Sequence, residues 1–94
     1  MDFVSMKKDA IDMELHMAVK TLAILQGEIV CNLKELTKKT NLLLEKEEEG
    51  EEANSLLEMI SENMNELDEL FERKKNLRKK IENLERTQKE LMIG

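Results

Sequence analysis

The sequence predicts an all-α protein, two long amphipathic helices forming an antiparallel helical hairpin or coiled-coil bundle. Three observations carry this. Two segments with helical apolar spacing, Val4–Leu44 and Ala53–Leu91, flank a glutamate run, EKEEEGEE at Glu45–Glu52. The chain contains no proline, so nothing in it is barred from a helix interior. Apolar content is 40% and charged content 38%, with only two aromatics, Phe3 and Phe71; leucine, methionine and charge without aromatic anchors is coiled-coil composition. Ninety-four residues make one domain at most. The expected organisation is a single coiled-coil domain, with helix 1 over about 4–45, an acidic hinge over 45–54 and helix 2 over about 55–92.

In the first segment, taking Leu15 as heptad position a places Leu22, Ile29, Leu36 and Leu43 at a, and Ile11, Ala18, Leu25, Asn32 and Lys39 at d. Apolar residues alternately three and four apart form one stripe that a partner helix covers. Leu15, Leu22, Leu25, Ile29 and Leu36 are therefore partner-helix contacts. A polar residue in such a seam costs stability and selects register, which singles out Asn32.

The same segment carries a second stripe. Ala10, Met17, Ile24 and Cys31 recur at position c, joined at f by Met6 and Met13. At about 100° per residue this face lies nearly opposite the first seam. Gly27 lies there too, where another backbone could approach closely. A helix that is apolar on both sides is normally sandwiched between neighbours, so Ala10, Met13, Met17, Ile24 and Cys31 form a second interaction face.

The glutamate run divides the chain. Glu45/Glu49, Glu47/Glu51 and Glu48/Glu52 are like-charge pairs four residues apart, which weaken a helix, and Gly50 costs about 1 kcal/mol more than alanine in a helix interior. Ser55-Leu-Leu-Glu58 has the form of a capping box, a start signal for helix 2. These favour the hairpin. The alternative is one continuous rod-like helix through Gly50 in an oligomeric coiled coil, because sevens counted from Leu15 reach Leu43, Gly50, Leu57, Met64 and Phe71 without slipping.

In the second segment the seam is expected through Ala53, Leu57, Ile60, Met64, Leu67 and Phe71. It then breaks at Lys74 and Arg78 and resumes as Leu77, Ile81, Leu84 and Leu91. That offset resembles a three-residue insertion in the heptad.

The net charge of −6 conceals a segregation. Residues 1–44 carry six acids and six bases, residues 45–72 twelve acids and one lysine, and residues 73–94 eight bases and three acids. The cluster Arg73, Lys74, Lys75, Arg78, Lys79 and Lys80 could meet an anionic polymer or membrane. On a helix these cations spread over every face, and no aromatic interleaves for base stacking. Pairing with an acidic stretch of a neighbouring chain is the plainer reading.

No catalytic, metal or cofactor motif is recognisable. His16 is the only histidine, with Asp12 one turn before it, and two ligands do not make a metal site. One cysteine excludes an internal disulfide and suits a reducing cytoplasmic or nuclear setting, and no stretch approaches the roughly 18–20 apolar residues of a membrane span. The patterning is similar to that of small coiled-coil subunits of cytoskeletal, chromosome-associated or trafficking assemblies. The expected role is a non-enzymatic structural subunit whose partners are other coiled-coil helices, itself, or both, with no small-molecule substrate. A self-assembling homo-oligomeric bundle and an adaptor acting through Arg73–Lys80 are the alternatives.

Overall fold

The computed structural model describes residues 3–46 and 50–93, which form two helices and no strand. Helix α1 spans Phe3–Lys46, 44 residues, and α2 spans Glu51–Ile93, 43 residues. The architecture is the expected all-α hairpin. Glu47, Glu48 and Glu49, the middle of the glutamate run, lie outside the described residues. Gly50 has φ +90°, a region where a Cβ is disfavoured. Its carbonyl accepts the Asn54 amide at 3.0 Å, which opens α2. The helix therefore starts at Glu51, one turn ahead of the expected box at Ser55 and Glu58, and Ser55 is an exposed residue inside it.

Threonines inside these helices return their hydroxyls to the preceding turn. Thr21, Thr37 and Thr40 in α1 and Thr87 in α2 each donate to the carbonyl four residues back, at 2.8–2.9 Å. The polar group is thereby satisfied without leaving the helix.

Two compact units divide the chain. The first comprises Met1–Leu25 and Arg73–Gly94, the second Gln26–Glu72. In the first, the covered side of α1 runs through Ile11, Leu15, Ala18, Leu22 and Leu25, and that of α2 through Lys74, Leu77, Ile81, Leu84, Gln88 and Leu91. Here the Gln88 side-chain amide donates to the Asp12 carboxylate at 2.6 Å. Asp12 thus meets α2, while His16 is exposed.

In the second unit the covered side of α1 runs through Ile29, Asn32, Leu36, Lys39 and Leu43, and that of α2 through Ala53, Leu56, Ile60, Asn63, Leu67 and Leu70. Ile29, Leu67 and Leu70 are its buried apolar residues, and Asn63 is buried with them at 4% exposure.

This seam corrects the expected one. Leu57, Met64 and Phe71 are not on it; they point outward, 48%, 54% and 47% exposed. Nor does α2 carry a three-residue offset. Residues 53, 56, 60, 63, 67, 70, 74, 77, 81, 84, 88 and 91 alternate three and four apart without interruption, with Asn63, Lys74 and Gln88 as polar members. The physical reason is length. Both stripes share Ala53, Ile60 and Leu67, but the one through Leu57, Met64 and Phe71 next meets Arg78 and Glu85. The one through Leu56 and Leu70 continues apolar through Leu77, Leu84 and Leu91. A helix that pairs along its whole length takes the stripe that stays apolar. It follows that the heptad phase of α1 does not run on through Gly50: the residues that would continue it are the outward three.

Candidate interaction surfaces

Three features of the hairpin can do chemistry with another molecule: a polar layer in the seam, the second stripe of α1, and the outward residues of the second unit.

The polar layer lies in the second unit. The Asn63 side-chain NH2 donates to the Asn32 side-chain oxygen at 3.1 Å and approaches the Asn32 carbonyl at 3.5 Å. Its own oxygen accepts the Lys39 ammonium. Asn32 also donates its amide to the Glu28 carbonyl at 3.3 Å. Asn32 and Lys39 are the polar d residues of α1 between Ile11 and Leu43, and Asn63, the polar member of the α2 seam in this unit, lies against both. Among the described residues no buried side-chain nitrogen or oxygen lacks a hydrogen-bond partner. A slip of one heptad toward Leu25 would set Asn63 against leucine and leave its amide unpaired, at a cost of about 1–3 kcal/mol. Asn32 thus has the surroundings of a register residue. Its partner Asn63 escaped the sequence reading because the larger apolar Met64 next to it drew the stripe away.

Along α1, the second stripe stays in solvent. In the first unit Ala10, Met13, Met17 and Ile24 are exposed, Met13 by 68%, and Met6 is exposed with them. In the second unit Cys31, a free thiol, is exposed at the same heptad position. Gly27 is open as well, and nothing lies within 4 Å of where its Cβ would be. Two helices in a hairpin cover only one stripe of each, so a helix with two apolar stripes is left with one uncovered. The cover is thin even over the seam: no large side chain among the described residues is completely sealed from solvent.

Of the predicted partner seam, Leu15, Leu22, Leu25, Ile29, Leu36, Ile60 and Leu67 lie on the covered sides of the hairpin itself. Leu57, Met64 and Phe71 form an outward group in the second unit. On α1 of that unit, Val30 and Leu33 are also exposed.

The basic cluster stands in the first unit. Lys74 is half-buried on the seam, whereas Arg73, Lys75, Arg78, Lys79 and Lys80 are exposed. Arg73 and Lys80 share one heptad position and Lys75, Arg78 and Lys79 take three others, so α2 distributes the charge around its circumference. Of Lys34, Lys38 and Lys39 in α1, antiparallel pairing brings only Lys39 onto the seam; Lys34 and Lys38 point outward.

Among the described residues no helix is long and apolar enough to cross a membrane. The sequence matches no protein-family model, no curated protein and no solved structure.

Proposed function

We propose that this chain is a non-enzymatic interaction subunit that assembles by helix packing into a larger protein complex of cytoskeletal, chromosome-associated or trafficking type. The observation that carries the reading is the second stripe of α1, Ala10, Met13, Met17, Ile24 and Cys31, which the hairpin leaves in water. Met6, Met13, Met17 and Ile24 of this face are each more than half exposed. A contiguous row of exposed apolar side chains along one helix face is a feature of interaction sites. The regular three-and-four spacing of the α1 stripe selects the shape of its occupant, an amphipathic helix whose knobs fit between those side chains. Methionine supplies much of this face, and its flexible thioether adapts to an uneven partner surface. The groups left outside the seam are apolar packing side chains and solvated charges, which provide adhesion rather than a reaction. A single free thiol suits a reducing setting, cytoplasm or nucleus.

The test is a paired substitution, Met17→Lys with Ile24→Lys. Both side chains are exposed in the hairpin, so the isolated variant should keep the far-ultraviolet dichroism of the unsubstituted chain. Recovered from its native cell, the variant should lose the proteins that accompany the unsubstituted chain. If the same proteins accompany both in equal amount, the α1 stripe is not the docking face.

A further inference from the structure

Methionine is among the residue types most often buried in folded proteins, yet no described methionine serves the seam of this hairpin. Met6, Met13, Met17, Met59, Met64 and Met92, the six among the described residues, are 44–69% exposed. The buried apolar residues are Ala18, Leu25, Ile29, Leu67 and Leu70. Among the described residues every buried or half-buried position holds a side chain without sulfur, and Cys31 is exposed as well. The side chains that a mild oxidant attacks are thus outside, and those that hold the two helices together are inert to it.

Three of the six methionines stand together. Met6, Met13 and Met17 lie on the second stripe of α1, seven and four residues apart. Over that stretch Ala10 is the only other apolar residue of the stripe, so the thioethers supply most of its apolar surface. Met59 and Met64 occupy different heptad positions of the second unit, and Met92 lies near the end of α2.

We propose that Met6, Met13 and Met17 form an oxidation switch: their conversion to sulfoxides closes the α1 stripe to its partner helix and leaves the hairpin folded. The switch rests on the docking role proposed for that stripe and adds its regulation. The oxidant is a peroxide. The thioether sulfur attacks one peroxide oxygen, the O–O bond breaks, an S–O bond forms and water leaves. The sulfur loses the two electrons that the peroxide gains. Methionine sulfoxide reductases reverse the step; two thiols pass to a disulfide as the oxygen departs in water. Each sulfoxide sets a strong hydrogen-bond acceptor on a face that had none. The apolar knobs of a partner helix offer it no donor, so docking would bury an unsatisfied polar group. In the free hairpin the same oxygen is hydrated, and the seam on the opposite side of α1 is untouched.

Peroxide treatment of the full chain tests this in two arms. In the isolated chain, peptide mass spectrometry should show Met6, Met13 and Met17 oxidising as fast as free methionine, while helicity by circular dichroism holds. Collapse of the helices would overturn the proposal, because the loss would then be one of fold. In the second arm, treated and untreated chains are returned to an extract of the native cell and recovered. The proteins that accompany the untreated chain should fall about ten-fold or more with the oxidised one. A pair of reductases, one for each sulfoxide epimer, should restore them, which separates the methionines from Cys31. The variant Met59→Leu with Met64→Leu and Met92→Leu has no methionine left on α2 and should lose its companions on oxidation as the unsubstituted chain does. Companions that stay with the oxidised chain, or a loss that this variant escapes, would overturn the switch and leave the docking role standing. An untreated chain without companions would instead sink the docking role, and the switch with it.

Discussion

Asn63 is the residue on which the pairing of the two helices turns. It is buried among leucines, yet its amide is used at both ends, by the Asn32 oxygen at 3.1 Å and by the Lys39 ammonium. A hydrogen bond to a charged group contributes more than a neutral one, about 1.5–3 kcal/mol. Asn63→Ala should therefore lower stability to urea by about 1–3 kcal/mol. Replacing both asparagines, Asn32→Leu with Asn63→Leu, should act the other way. Two leucines bury more apolar surface, and Lys39 is only half-buried and can extend its ammonium to water. The double variant should melt higher while losing its single register, seen as extra amide signals by nuclear magnetic resonance. A double variant that melts lower, with one clean set of signals, would mean that the layer supplies stability rather than register.

At the scale of the helices, the two glycines separate two effects. Gly50 has φ +90° and Gly27 is helical, and the space around both Cβ positions is open. Gly50→Ala should cost about 1–2 kcal/mol from backbone conformation alone. Gly27→Ala should gain about 1 kcal/mol from helix propensity. Thermal melts of the two variants should move in opposite directions; a shared direction would contradict the turn assigned to Gly50. The seam of helix α1 was legible in the sequence, because from Ile11 to Leu43 its a and d positions are apolar except for Asn32 and Lys39. Helix α2 was not. Two stripes compete there over 53–71, and the bulkier one, through Leu57, Met64 and Phe71, is the wrong one. The sum along the whole helix decides between them, and so does the match of Asn63 to the polar residues across the seam, a pairing that only the fold reveals. The apparent continuity of phase through Gly50 belonged to the same displaced stripe.

For the molecule as a whole, the hairpin solves half of its own packing problem. One seam is covered, and the second stripe of α1 and the outward Leu57, Met64 and Phe71 of α2 face solvent. Methionine and isoleucine on a regular stripe were visible in the sequence as a second interaction face; the outward turn of Leu57, Met64 and Phe71 was not, because it follows from which stripe of α2 the pairing covers. Arg73–Lys80 behaves as its spacing implies, with charge on every side of α2 and one lysine on the seam. Lys75→Glu with Lys79→Glu should therefore leave the hairpin's helicity unchanged, and a collapse of the dichroism would reveal a structural ion-pair role for those lysines. The central claim, that a partner helix covers the second stripe of α1, is most directly tested by the reactivity of the lone thiol. Cys31 is exposed on that stripe. Its labelling by a thiol reagent should be fast in the isolated chain and strongly slowed in the assembly recovered from the native cell. Equal labelling rates in the two would contradict the account.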